Sequence, residues 1–366
     1  MKTRILHLVS GGGSGATRVA LDLACAQHEG TVFAPLVVFR RRHAALPPEM
    51  AAQVAAYGLP IEWVEDLWPK FRIIEELATL CKRFEPQAFL AHGYSEHLWG
   101  RRAALLASVP TIVHIEHNFE RYQPWRLPQV KRLATRTDLT ICVSNGVAER
   151  VKELGIGGKR VVAIFNGTDM SRFAGHPTRL EERAPDIVMP ARFARQKDHA
   201  TLIRAVRRLA DGGWKGRLVL AGGGKEAHKR ASERLVEGLG LGEQVVFPGQ
   251  VSDVPTLLRS CRVMALSTRY EGFGLVLTEA MAAGCAVVAS AAPGVTDIMR
   301  DGENGWLFPI GDDEAAANAL SDALSANDAA QACADCGRSE VLNTYSRERM
   351  VADYERALLE CLAQSR

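Results

Sequence analysis

With 366 residues, 47% of them apolar, the chain is too long for one ordinary domain and rich enough in apolar side chains to bury two cores. A net charge of +3 excludes the strongly basic balance of a nucleic-acid-binding domain, and no apolar run approaches the roughly 20 residues of a membrane-spanning helix. Eight scattered cysteines lack the framework of a small secreted protein and fit a reducing cytoplasm.

In chain order, short β-branched runs alternate with longer amphipathic ones. Strands are predicted at 5–9, 32–39, 88–91, 111–115 and 139–143, and helices at 17–27, 50–57 and 73–84. The segment 169–185 has no periodicity and carries Gly175, Pro177 and Pro185, so the linker is placed there. Strands then recur at 186–189, 217–221, 244–247, 263–266 and 286–289, with helical spacing between them. This alternation predicts a doubly wound parallel sheet in each half, and residues 347–364 read as a closing helix. Residues 1–170 carry 21 Lys and Arg against 16 Asp and Glu, and residues 171–366 carry 24 against 26, so the first half is the basic one.

The most informative run spans residues 271–284. Gly272 and Gly274 permit a tight turn, residues 275–283 have helical character and Gly284 fits a C-terminal stop. A helix start facing the turn favours phosphate, while Glu271 at its mouth and Glu279 inside the helix can accept hydrogen bonds from hydroxyls on either side. An ordinary loop with two surface glutamates has the same spacing. Upstream, an apolar strand ends in a basic loop, and Arg192 with Lys197 can neutralise a diphosphate at a strand's carboxyl end.

Near the start, Gly11, Gly13 and Gly15 follow a strand and open a helix. A dinucleotide-binding turn would need glycine at 16, where Ala16 stands; the alanine variant keeps that reading open, although no acidic ribose partner is evident about 20 residues on. His114, Glu116, His117 and Asn118 close one strand, and His92, Tyr94, Glu96 and His97 close another. Neither group has tight metal-ligand spacing, Cys333 and Cys336 stand without a second ligand pair, and no Asp-x-Asp is placed to chelate a nucleotide metal. Arg121, Trp125, Arg126, Lys131 and Arg132, with Phe39 to Arg42, form a basic aromatic set that suits an anionic bilayer or a lipid-linked acceptor, or is simply a solvated helix face.

On these motifs the chain resembles the retaining glycosyltransferases of family 4, which have the GT-B fold. Asn166-Gly167-Thr168-Asp169 through Phe173, the glycine turn 222–224, Val245 to Val251 and Asp301 to Asp312 fall in the family's order. The resemblance implies an α/β architecture of two Rossmann-like domains facing a central cleft. These are an acceptor-side domain at 1–170, a donor-binding domain at 171–346, and a helix at 347–366 crossing back to the first. It implies His117, Arg192, Lys197 and Glu271 as catalytic residues, with His114 the alternative to His117. It implies donor contacts from Gly15, Arg192, Lys197, Gln250, Val251, Glu271, Phe273, Gly274, Leu275 and Glu279, and acceptor contacts from His92, Tyr94 and Asn118. The implied reaction is metal-independent, needs no cofactor beyond a UDP- or GDP-linked sugar as substrate, and serves lipopolysaccharide, capsule or exopolysaccharide assembly. The implied partners are the nucleotide sugar and a glycan or lipid-linked acceptor, without nucleic acid, in the cytoplasm or in peripheral contact with the inner face of its membrane. A sugar-nucleotide epimerase or sugar phosphorylase of the same architecture, or a non-catalytic sugar-nucleotide-binding subunit, is the alternative.

Overall fold

The computed structural model describes residues 2–41, 45–66 and 68–364 and divides the chain into two compact units. The first comprises Met1–Gly167 and Arg347–Arg366, the second Thr168–Ser346.

In the first unit, β1 (Thr3–Val9), α1 (Gly15–Glu29), β2 (Phe33–Arg41), α2 (Pro48–Tyr57), β3 (Ile61–Glu65), α3 (Phe71–Phe84), β4 (Ala88–His92), α4 (Tyr94–Leu106), β5 (Thr111–Glu116), α5 (Leu127–Ala134), β6 (Leu139–Cys142), α6 (Asn145–Leu154) and β7 (Arg160–Ala163) follow in order. The strands are parallel in the order β3-β2-β1-β4-β5-β6-β7, so the winding reverses between β1 and β4. β4 and β5 are buried along their whole length, as a central parallel strand must be when helices cover both faces.

The second unit runs β8 (Ala184–Pro190), α7 (His199–Asp211), β9 (Leu218–Ala221), α8 (Glu226–Gly238), β10 (Val245–Gly249), α9 (Val254–Ser260), β11 (Cys261–Leu266), α10 (Leu275–Ala282), β12 (Ala286–Ser290), β13 (Trp306–Phe308), α11 (Asp313–Leu324) and α12 (Asp328–Thr344). Its parallel order is β10-β9-β8-β11-β12-β13, reversing between β8 and β11. The final helix, α13 (Arg347–Gln364), packs in the first unit, where Arg160 pairs with Glu360 at 2.7 Å and Met350 Sδ accepts from Gly167 N.

Three departures from the periodicity have physical causes. Helix α4 has no readable stripe because Ser95, Glu96, His97 and Arg101 on it are buried and satisfied by partners. The short strands β3 and β7 sit at the sheet's edges, half-buried, where no long apolar run is demanded. Segment 169–185 is strapped to the second unit instead of running free. Thr168 N donates to Tyr345 O at 2.8 Å, Leu180 N to Gln331 Oε1 at 2.9 Å, and Phe173 and Leu180 are buried.

Candidate functional site

In an open α/β sheet the carboxyl ends of the two strands flanking the reversal leave a crevice between diverging connections. In the second unit that crevice lies beyond β8 and β11, and the loops that follow these strands are stitched together. Gln196 Nε2 donates to Tyr270 O at 2.6 Å, Arg269 N to Gln196 O at 2.9 Å, and Ser267 Oγ to Asp198 O at 3.0 Å. Out of this seam come Lys197 and Glu271, whose Nζ and Oε1 meet at 2.5 Å with side chains 14% and 9% exposed. A charge pair so little hydrated is costly to assemble and strongly felt by anything that enters beside it.

Glu271 is fixed from both sides. Its N–H donates to Pro293 O at 2.9 Å, and a Cβ on Gly294 (φ +82°) would lie 2.0 Å from the Glu271 carbonyl oxygen, so only glycine fits there. Gly274, at φ +86°, turns the chain into α10, and the Glu271 side chain lies across it. The carboxylate of Glu271, the ammonium of Lys197 and the free amides of the α10 N-terminus are thereby brought together, an arrangement suited to a phosphate flanked by hydroxyls.

Arg192 follows β8, exposed, with no hydrogen bond or ion pair among the described residues. Its loop is tied to the glycine turn after β9 by Phe193 N donating to Gly223 O at 2.7 Å. Gln250 Oε1 faces the same Gly223; Gln250 is exposed and Val251 half-buried. Phe273 is 2% exposed and edge-on to Tyr345, ring centroids 5.5 Å apart, so its ring packs in the core; Leu275 is half-buried at the first position of α10. Glu279 is half-buried on α10, with Arg172 Nη1 3.7 Å from its Oε1. Sequence reasoning missed Arg172. Its signal was a cation held between Asp169, which caps the 3₁₀ turn Met170–Phe173, and the apolar anchor Phe173.

In the first unit, Gly15 is exposed and opens α1 behind the Ser14 cap, whose Oγ accepts from Thr17 N at 3.2 Å. The polar residues at the ends of β4 and β5 fall into two buried networks. In one, Gln27 Oε1 meets His7 Nε2 at 2.9 Å, His7 Nδ1 meets His92 Nε2 at 3.1 Å, and His92 Nδ1 meets His117 Nε2 at 3.1 Å. Burial holds His7 and His117 near a pKa of about 4 and depresses His92 too, with the neighbouring histidines adding to the effect, so all three rings are neutral at neutral pH. His92 is thus enclosed with both nitrogens engaged, which corrects its expected place at an acceptor surface: it supports His117. His7 and Gln27 were also missed. A histidine inside the apolar run of β1 and a glutamine on the face of α1 that buries Ala20 and Ala24 were the available signals.

In the second network Arg101 Nη2 meets His97 Nδ1 at 2.7 Å, His97 Nε2 meets the Tyr122 hydroxyl at 3.1 Å, and Tyr122 donates to Glu116 Oε2 at 2.9 Å. Burial first, then the charge of Glu120, pushes Glu116 up to about 8. His114 lies inside this cluster, stacked on His97 at 4.5 Å and fully buried, whereas His117 is half-buried just past the end of β5 and is the more exposed of the two. Tyr94 is half-buried under Arg126, whose guanidinium lies 5.6 Å from the ring centroid. The Asn118 side chain accepts from Phe119 N at 2.9 Å. Of the basic aromatic set, Trp125 is 66% exposed, but Arg40 is buried between Glu96 and Asp66 at 2.7 and 2.9 Å and leaves the surface set; Arg42 lies outside the described residues. No helix among the described residues is long and apolar enough to cross a membrane, and no group of three or more His, Cys, Asp or Glu is placed to hold a metal ion.

Comparison with known proteins matches residues 10–172 to the description Glycosyltransferase Family 4 and residues 175–340 to Glycosyl transferases group 1. The chain belongs to glycosyltransferase family 4. This family-4 chain is 34% identical over 224 residues to the lipopolysaccharide core biosynthesis glycosyltransferase LpsE of Rhizobium meliloti, covering 60% of this chain and 63% of that protein. It is 26% identical over 262 residues to the putative colanic acid biosynthesis glycosyltransferase WcaL of Escherichia coli, covering 67% and 64%. These alignments thus span a little under two thirds of either relative. LpsD of Rhizobium meliloti, also a lipopolysaccharide core biosynthesis glycosyltransferase, is 24% identical over 96% of both chains. The fold of the present chain is that of Anabaena Alr3699/HepE, solved in complex with UDP and glucose, at a TM-score of 0.86 and 20% identity over 98% of this chain and all of that one. Two parallel-sheet α/β units of seven and six strands are the GT-B architecture.

Proposed function

We propose that this chain transfers a sugar from a UDP- or GDP-linked donor to an acceptor hydroxyl with retention at the anomeric carbon. The observation that carries the reading is the Lys197–Glu271 pair at the reversal of the second sheet, set against the N-terminus of α10. When the bond from the anomeric carbon to the diphosphate breaks, negative charge grows on the departing oxygen. Lys197, the unengaged Arg192 and the amides that follow Gly274 stabilise that charge, which is the role a metal plays elsewhere, so the reaction is proposed to be metal-independent. The oxocarbenium-like carbon is attacked by the acceptor oxygen on the face the diphosphate leaves, and the acceptor proton passes to the diphosphate. No protein nucleophile is required.

In this assignment Glu271 holds hydroxyls of the transferred sugar, Glu279 with Arg172 behind it holds the ribose, and the backbone at Gln250 and Val251 faces the base. Gly15 approaches the donor phosphate, and His117 hydrogen-bonds the sugar. The acceptor is proposed to be a glycan or lipid-linked glycan of envelope polysaccharide assembly. The names of LpsE, LpsD and WcaL support that class, and Tyr94 and Asn118 are its proposed contacts. Action in the cytoplasm, with exposed Trp125 and its basic neighbours resting on the membrane's inner face, completes the proposal. Incubation of the purified chain with labelled UDP- and GDP-sugars tests it. Release of nucleotide diphosphate with sugar appearing on an acceptor, or slowly on water, is expected; an epimerised nucleotide sugar or a phosphate-dependent release would assign the site to the other chemistries.

A further inference from the structure

The chain Gln27–His7–His92–His117 has a property that none of its members has alone. A neutral imidazole carries one N–H and one bare nitrogen, and both inter-histidine contacts join an Nδ1 to an Nε2, at 3.1 Å each. Each contact needs one proton, so if one ring is Nε2–H then all three are, and if one is Nδ1–H all three are. The end of the chain decides between the two. Gln27 sets its carbonyl oxygen 2.9 Å from His7 Nε2, and in that setting Oε1 accepts and requires His7 Nε2–H; its buried Nε2 finds no partner among the described residues, and the reversed amide would impose the opposite tautomer on all three rings. The rings are also stacked, with centroids 5.3 and 5.4 Å apart and planes within 26° and 21°, so rotation of one disturbs the next.

We infer that Gln27, His7 and His92 are positioning residues that fix His117 as the Nε2–H tautomer, presenting a bare Nδ1 as a hydrogen-bond acceptor for a hydroxyl of the bound sugar. Nδ1 of His117 makes no hydrogen bond among the described residues, and His117 is the one ring of the three that is not fully buried. The consequence for specificity is that the sugar substituent meeting His117 must be a donor. A hydroxyl satisfies it; a carboxylate or a deoxy position leaves the lone pair unanswered. That consequence rests on the sugar-binding role proposed for His117, whereas the tautomer does not.

Two readouts separate the inference from the activity. The full-length protein labelled with 15N-histidine, examined by long-range 1H–15N NMR near neutral pH and assigned with single histidine replacements, should show His7, His92 and His117 all neutral with the proton on Nε2. A proton on Nδ1 of His117, or averaged signals at the three rings, overturns the relay. In Gln27→Leu the His117 signals should move toward a tautomer mixture, and KM for the nucleotide sugar should rise roughly five- to tenfold with kcat within about twofold, because a hydroxyl held equally in ground and transition states is lost. Gln27→Glu, which still accepts, should restore both the tautomer and KM. A His117 tautomer unmoved in Gln27→Leu sinks the relay whatever the activity does. A His117→Ala variant with full transfer instead removes the sugar-binding role and leaves the NMR result to stand by itself.

Discussion

Replacing Lys197 with methionine and Glu271 with glutamine, singly and together, separates a pair that holds a loop from one that holds a ligand. The contact is 2.5 Å long and nearly dry. Lys197→Met strands a carboxylate with 9% exposure and should destabilise the second unit by about 3–5 kcal/mol, while Glu271→Gln, which leaves a flexible ammonium and a neutral amide, should cost about 1–3 kcal/mol. In the double variant neither charge is left alone, so the loss should fall short of the sum by about 2 kcal/mol or more. Amide hydrogen exchange in the strands Ala184–Pro190 and Cys261–Leu266 reads this in the second unit alone. Donor turnover should behave differently. In the proposed role each single replacement removes a charge or acceptor at the diphosphate or sugar and should cost on the order of a hundredfold in rate, and the double variant should recover none of it. Recovery of turnover in step with stability would mean that the pair is structural and that the donor binds elsewhere.

Acid should unfold the first unit early. His7 titrates near 4 in the folded chain against about 6.5 unfolded, so as pH falls the unfolded chain takes up the proton first. The His7 contribution is full above about 6.5 and drains away down to about 4, by about 3 kcal/mol; Glu116, held up at about 8, works against it over the same window, while the lowered His92, His97, His114 and His117 add to it, so the net course is a loss and urea midpoints between pH 7 and 4.5 that do not fall would refute this. Arg172→Ala removes the guanidinium 3.7 Å from Glu279 Oε1 and should raise KM for the nucleotide sugar roughly fivefold or more, with little further loss for the 2′-deoxy nucleotide; equal losses for both would take the ribose role from Glu279. Gly294→Ala drives a methyl to 2.0 Å from Glu271 O and displaces the turn, so donor turnover should fall at least tenfold with about 1–3 kcal/mol of destabilisation in hydrogen exchange, and a neutral result would show that the Glu271 backbone is free to shift.

The parallel sheets and the glycine turn into α10 were legible because their signals are local. Buried strands such as Ala88–His92 are continuous apolar runs, and the residues bracketing α10 are glycines whose backbone angles the turn demands. Lys197 and Glu271 lie 74 residues apart, and each could be singled out from its own loop; that they form an ion pair depends on which strands are neighbours at the sheet's reversal, which periodicity does not encode. The first unit was harder to read for the opposite reason. Its polar residues are inside, so Glu96, His97 and Arg101 erased the stripe of α4, and His92 looked like a surface residue at a strand end when it is the middle of a buried chain. Gln27 and His7 are 20 residues apart and meet only because α1 packs back on β1.

The assignment is decided by a crystal structure of the chain with an intact UDP- or GDP-sugar bound. The diphosphate should lie between Lys197, Arg192 and the amides that follow Gly274, with sugar hydroxyls on Glu271 and ribose hydroxyls on Glu279. A nucleotide seated away from these groups, with Lys197 and Glu271 still closed on each other, would contradict it.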